Sequence, residues 1–163
     1  MELFLVDQML IRLGRWLRLV GMDVANPGDD DDPELMIRAR QENRILVTRD
    51  KRLAEDCRTA GVECILIKST SILGQLNEMA EAGVKMELNP QRCTICNGPL
   101  RGAVRREVRG AGDQSQQEGT WECLVCGKLY WTGSHWKRIE ETLKQIRREG
   151  SVARRVGENL GQL

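Results

Sequence analysis

The chain has 163 residues, 25 Lys/Arg against 24 Asp/Glu, and only 4% aromatic residues, so it can form one domain or two small ones whose core must be filled by aliphatics. The balanced charge, with a pI of ≈ 7.6, gives nucleic-acid binding no support by itself. No run of ~18 apolar residues is present to span a membrane, and the start does not read as a signal peptide. The expectation is a cytoplasmic protein whose six cysteines serve some purpose other than disulfides.

Leu3-Phe4-Leu5-Val6 is a short apolar run that ends on Asp7, the form of a strand buried on both faces of a parallel sheet. Leu10, Leu13, Leu17 and Val20 then fall on one helix face, with Gly21 as its stop and Arg12, Arg15 and Arg18 on the other side. Gly14 inside that helix costs about 1 kcal/mol against Ala and marks a close approach of another backbone. Met22 to Ala25 predicts a second strand, closed by Asn26-Pro27-Gly28. In the run Asp29 to Asp32, Asp32 before Pro33 predicts an N-cap, with Asp29 to Asp31 as solvated loop charge. The helix returns the chain to Ile45-Leu46-Val47, a strand that stops at Thr48-Arg49-Asp50. A helix from Lys51 to Ala60, a strand from Val62 to Ile67 and a helix through Ile72, Leu76 and Met79 complete the pattern. Strands alternating with helices predict an α/β domain of three layers with a mainly parallel sheet, bounded at Asn89-Pro90.

The grammar changes at Arg92. Cys93-x-x-Cys96 and Cys123-x-x-Cys126 are separated by 26 residues, more than the ~15–20 of the simplest zinc patterns. A strand-like piece from Arg101 to Arg109 and a flexible Gly-, Gln- and Ser-rich excursion from Gly110 to Gly119 account for the excess. Four thiolates close a tetrahedral shell and leave no open position, so the expectation is one structural zinc on Cys93, Cys96, Cys123 and Cys126. Cys57 and Cys64 fit core positions. Trp136, Ile139, Leu143 and Ile146 predict a last amphipathic helix. The organisation expected is an α/β domain over 1–90, a zinc ribbon with its helix over 91–150, and a flexible tail over 151–163. Residues 1–90 hold 12 Lys/Arg and 16 Asp/Glu, residues 91–163 hold 13 and 8, an acidic part beside a mildly basic one.

Asp7 and Asp50 each end an apolar strand, which puts both at the carboxyl edge of the sheet, where open α/β sheets bind ligands. Clustered carboxylates repel by about 4 kcal/mol per pair at 4 Å and an effective dielectric of ~20, a cost that a divalent cation removes. Mg²⁺ or Mn²⁺ suits an all-oxygen site, with Asp32 as the third ligand. The bland alternative is that these aspartates cap helices. Arg12, Arg15, Arg18, Arg49 and Arg52 flank the two strand ends and are candidates for phosphate contact, against a solvated helix face. His135 is either structural or part of the site. Asp7 is followed by Gln8-Met9, which lacks the D-x-D of phosphoacceptor and phosphatase domains.

The chain resembles the Mut7-C family, PIN-like domains fused to a C-terminal zinc ribbon. The resemblance rests on Phe4-Leu5-Val6-Asp7, Leu13-Gly14-Arg15-Trp16-Leu17-Arg18, Gly21-Met22-Asp23, Asp32-Pro33-Glu34-Leu35 and Arg44-Ile45-Leu46-Val47-Thr48-Arg49-Asp50. It continues through Arg92-Cys93, Cys96-Asn97 and Cys126-Gly127-Lys128-Leu129-Tyr130-Trp131-Thr132-Gly133-Ser134-His135. It implies a PIN-like ribonuclease with Asp7, Asp32 and Asp50 as a catalytic acid triad on Mg²⁺ or Mn²⁺. Its substrate would be RNA, most simply single-stranded, with Lys128 and His135 joining the arginines at the substrate and the ribbon assisting binding. PIN nucleases often place a fourth acid after the next strand, where this chain has Lys68-Ser69. The alternative is a non-catalytic RNA-binding or ribosome-associated module of the same fold.

Overall fold

The computed structural model describes residues 2–102 and 119–146. The expected strand-like piece lies outside the described residues beyond Gly102, and so do the excursion before Gly119 and the tail over 151–163. The elements are β1 (Leu3–Val6), α1 (Ile11–Leu19), β2 (Asp23–Ala25), α2 (Asp32–Gln41), β3 (Ile45–Thr48), α3 (Lys51–Ala60), β4 (Cys64–Leu66) and α4 (Ile72–Glu81). β5 (Leu100–Gly102), β6 (Thr120–Cys123) and β7 (Leu129–Trp131) follow, then a helix over residues 134–146, α5. A 3₁₀ turn, Gln8–Leu10, joins β1 to α1.

The first four strands form one parallel sheet in the order β2-β1-β3-β4, and the last three an antiparallel sheet in the order β5-β6-β7. Alternation along the buried strands sends their side chains to both faces, as a doubly covered sheet requires. Phe4, Val6, Val24 and Val47 pack with Leu13 and Leu17 of α1, Leu76 and Met79 of α4, and Ile139, Leu143 and Ile146 of α5. Leu5, Ala25 and Leu46 face the other way, against Leu35 and Ala39 of α2 and Leu53 and Cys57 of α3. The last helix therefore belongs to the core of the parallel sheet. A smaller cluster of Cys93, Cys123, Tyr130 and Trp136 is joined to it by Leu19 and Leu88.

Gly14 does mark a close approach, but to side chains. A Cβ there would lie 3.1 Å from Val6 Cγ2 and 3.5 Å from Val24 Cγ1, so α1 lies tight against β1 and β2. The α2 cap is one residue earlier than expected. Asp31 accepts from the Glu34 amide and Glu34 bonds back to the Asp31 amide, a complete capping box, so Asp32 is the first helical residue and Pro33 the second. Any Asp of the run has the right chemistry, and the reciprocal Glu three residues on selects Asp31.

The antiparallel sheet is tied to the parallel one through charged side chains at the β2 edge. Arg18 is 0% exposed. It donates through Nε and Nη2 to the Val24 carbonyl at 2.9 and 2.6 Å, to Asn26 Oδ1 at 2.7 Å, and through Nη1 to the Thr94 and Ile95 carbonyls at 2.9 and 3.3 Å. Asp23, 9% exposed, is held by Arg44 at 2.7 Å, Asn97 Nδ2 at 2.7 Å and Arg92 at 3.0 Å. Asn97, in the left-handed region at φ 64°, also accepts the Val24 amide at 3.0 Å. Burial would raise the Asp23 pKa, but the bonds from Arg44 and Asn97 outweigh it and hold the carboxyl below its usual range.

Two measurements test this junction. Arg18→Met leaves buried carbonyls without donors and should cost on the order of 3 kcal/mol, a fall of about 6–12 °C in melting temperature. Asp23 has a depressed folded pKa, so its contribution is complete above the ordinary aspartate range and is lost as pH falls through the folded value. Asp23→Asn should therefore lower the melting temperature at pH 7 and flatten its decline below about pH 4. An unchanged acid limb would show that the carboxylate is not stabilising.

Candidate functional site

Asp7 follows β1 and Asp50 follows β3, neighbouring strands of the parallel sheet, so the two residues arrive side by side at its carboxyl edge. Thr48, fully buried, links them. Its hydroxyl donates to Asp7 Oδ2 in a short bond and accepts the Asp50 amide at 2.9 Å. Asp7 Oδ1 accepts the Met9 amide at 3.0 Å, and Asp50 Oδ1 accepts the Arg52 and Leu53 amides at 2.7 and 3.2 Å. Both aspartates thus cap the element that follows them. Asp7 is only 6% exposed, and neither residue forms an ion pair among the described residues. A buried carboxylate without a cation is costly unless something else supplies positive charge.

Asp32 is exposed on the first turn of α2 and lines a groove of ≈ 570 Å³ between α2 and α3, together with Met36, Ile37, Arg40 and Asp56. Among the described residues, Asp7, Asp32 and Asp50 do not gather within ligand-sharing distance of one another. The donor set fits a magnesium-type ion in a more limited way, since Mg²⁺ is commonly held by one or two carboxylates plus waters and phosphates. Asp50 Oδ2 lies outside its cap bonds, and Asp7 forms no ion pair among the described residues. Cys64 lies close by, its thiol pushed up to about 12 by burial, with Cys57 and the Asp7 carboxylate adding to the same direction. At the end of β4, where the chain has Lys68-Ser69, a carboxylate comes from α4 instead. Glu78 accepts the Lys68 and Ser69 amides at 2.8 and 2.7 Å. Glu78 lies ten positions after Lys68 in the chain, so no strand-adjacent motif could have revealed it.

The cationic candidates divide. Arg18 is withdrawn from any ligand surface by its burial and its carbonyl partners. Arg52 is exposed beside Asp50, and Arg49 is half-buried with its Nε unbonded among the described residues. Arg12, Arg15, Lys128 and His135 come together on a different groove, ≈ 560 Å³ in volume, between α1 and the antiparallel sheet.

The four cysteine sulfurs lie within 4.8 Å of one another. Cys93 and Cys126 are 3.7 Å apart, Cys96 and Cys123 3.4 Å, close to the ~3.8 Å edge of a tetrahedron with Zn–S bonds of about 2.3 Å. Amides of Gly98, Val125 and Cys126 point at the sulfurs at 3.4 Å, and the Tyr130 hydroxyl lies 3.0 Å from Cys93 Sγ. Burial opposes ionisation of Cys93, but the amides of Cys96 and Ile95 and the Tyr130 hydroxyl bring its pKa down to about 6. Cys96 is pushed up to about 12, first by burial and then by its neighbouring sulfurs. Such a set could form a zinc site. Gly98 is required at the close approach, because a Cβ there would lie 3.0 Å from Cys123 Sγ and 2.7 Å from the Val125 side chain. Tyr130 and Asn97 were part of the motifs, yet only the fold shows what they hold.

The structure thus joins a parallel α/β sheet with paired aspartates at its carboxyl edge to a centre of four close cysteines. The chain belongs to the Mut7-C RNAse domain family, which it matches over residues 2–143, and that family's description points to a nuclease-type function. No curated protein and no solved structure matches the chain. No helix among the described residues is long and apolar enough to cross a membrane.

The zinc site predicts about one equivalent of zinc in protein purified without added metal. Removing the metal, or replacing Cys96 by Ser, should abolish the near-ultraviolet dichroism of the stacked Trp121–Trp136 pair, whose rings are 5.2 Å apart, because structural zinc supplies on the order of 10–16 kcal/mol of folding energy in small modules. Metal-free protein with that signal intact would refute it.

Proposed function

We propose that the protein is a metal-dependent ribonuclease with a PIN-like fold, hydrolysing RNA phosphodiester bonds at the carboxyl edge of its parallel sheet. The observation that carries this is Asp7, a buried carboxylate with no ion-pair partner among the described residues, linked through Thr48 to Asp50 in a chain of an RNase family. Asp7 and Asp50 are the inner acids proposed for Mg²⁺ or Mn²⁺, and Asp32, on the first turn of α2 and not within ligand-sharing distance of both, is proposed only as an outer acid and not as a direct ligand. Asp7 and Asp50 would hold a divalent cation there, which would supply Lewis acidity toward the phosphate and a water nucleophile at neutral pH. The protein's own part is to fix the carboxylates. Thr48 and the amides of Met9, Arg52 and Leu53 hold three of the four inner oxygens, so the acids need no reorganisation when substrate arrives. Arg49 and Arg52, on either side of Asp50, supply guanidinium donors for phosphate oxygens. The zinc ribbon assists RNA binding.

One observation favours a second reading. Both aspartates already cap helical turns, and the carboxylate at the β4 end is engaged by backbone amides, as expected of acids that only hold structure in a non-catalytic RNA-binding or ribosome-associated module.

Asn caps a helix about as well as Asp, which separates the readings. Asp7→Asn and Asp50→Asn should each reduce Mn²⁺-dependent cleavage of a labelled single-stranded RNA on the order of 10²–10³-fold. Their melting temperatures without divalent metal should be equal to the wild type or higher. Undiminished cleavage by either variant, or no cleavage by the wild type across varied RNAs, favours the binding module.

A further inference from the structure

The acids account for cleavage, but the groove between α1 and the antiparallel sheet lies outside them. One wall is α1, with Arg12, Arg15 and Trp16. The other is the cysteine-rich part, with Lys128 and Tyr130, and His135 stands at the start of α5. No carboxylate lines it among the described residues. Arg12, Arg15 and Lys128 are exposed and form no ion pair among the described residues, and the Lys128 ammonium lies 5.7 Å from the centre of the Tyr130 ring. Cations without partners beside aromatic faces suit a strand that offers both phosphates and unpaired bases. A folded acidic peptide would satisfy the charge but leave the indole of Trp16 unexplained.

Direction adds to the match. Asp7 is followed by a single 3₁₀ turn and then α1, so Arg12 begins the groove on the side of the paired aspartates and Leu19 ends it. From Arg12 to Leu19 the helix rises about 10 Å, close to three phosphates at the ~3.4 Å axial spacing of a stacked strand. We infer that this groove is the track for a single-stranded RNA segment adjoining the scissile bond, with phosphates on Arg12, Arg15 and Lys128 and a base stacked on Trp16. The inference rests on the ribonuclease reading for the identity of the strand. A duplex cannot use the track, because its bases are already paired and stacked, so the requirement for single-stranded substrate arises here rather than at the acids.

The test is binding, measured apart from cleavage. Fluorescence anisotropy of a labelled 12-nucleotide single-stranded RNA is followed with the full chain carrying Asp7→Asn and Asp50→Asn, zinc retained and no divalent metal added. Arg15→Gln with Lys128→Gln, both at exposed positions, should lower the slope of log affinity against log salt by about 1.4. Trp16→Leu keeps the apolar packing of that position and should weaken binding by about 5- to 140-fold, the range for losing one stacked base. A hairpin duplex of the same length should bind at least about tenfold more weakly than the single strand. Melting temperatures within 2 °C of the parent, a threshold of about 0.5–1 kcal/mol here, establish that the variants are folded. Unaltered single-strand affinity and salt slope in both folded variants would overturn the track. So would equal affinity for duplex, or binding of an acidic peptide in preference to RNA. If the parent binds single-stranded RNA in this way while the unsubstituted protein cleaves nothing, the track stands and the ribonuclease reading falls.

Discussion

Everything in this molecule depends on how one sheet edge is covered. β2 is one of the two outer strands of the parallel sheet, and its Val24 amide and carbonyl face away from β1. Asn97 takes the amide and Arg18 the carbonyl. Both side chains are committed to the first cysteine knuckle, Asn97 by belonging to it and Arg18 by holding its Thr94 and Ile95 carbonyls. Asp23 supplies the opposite charge and gathers Arg44, Arg92 and Asn97. Buried charge of this kind is weak evidence of net stability but strongly penalises partial assembly, since removing one member strands the others. It fixes the position of the knuckle on the sheet, and so the spacing of the groove walls that α1 and Lys128 provide.

The aspartates at the carboxyl edge have a structural role that leaves room for the chemical one proposed for them. Capping does not exclude chemistry, because each carboxylate has two oxygens and two lone pairs on each. Asp50 spends one oxygen on the start of α3 and retains the other. Asp7 spends one oxygen on Met9 and the other on Thr48. These bonds hold the inner acids still, and neither brings positive charge. Glu78 sits in a comparable environment at the end of β4, with its pKa held below the usual range by Ser69 and Lys68 against the opposing effect of burial.

Much of this was legible in the residues. Short apolar runs ending in Asp identified buried parallel strands, and the two C-x-x-C pairs announced a four-sulfur centre that the structure brings within metal-binding distance. Helix periodicity found the inward positions of α1 and α5. The same periodicity misplaced Arg18. It lies on the polar side of the helix as judged by spacing, but spacing cannot say that a second sheet packs on that side and buries it. Asp23 stood in the motif Gly21-Met22-Asp23, but its role gave no signal, since a charged residue at the start of a strand is unremarkable until Arg44 and Arg92 converge on it from distant sequence. The position of Asp32 shows the limit of local reading. A run of four Asp contains a cap wherever it is cut, and the face on which each carboxylate emerges is decided by one residue of helix phase.

The cover over β2 also bears on what becomes of the chain when metal is scarce. Sheet edges with unpaired amides and carbonyls are templates for another strand, and proteins avoid this by covering them. Here the cover is a knuckle whose own folding would be set by zinc, so the metal would act at a distance as a guard against strand addition. A protomer emptied of zinc would expose Val24 between Asp23 and Ala25, beside the aliphatic core, and would self-associate through that strand. Metal supply would then govern the solubility of the chain as well as its fold.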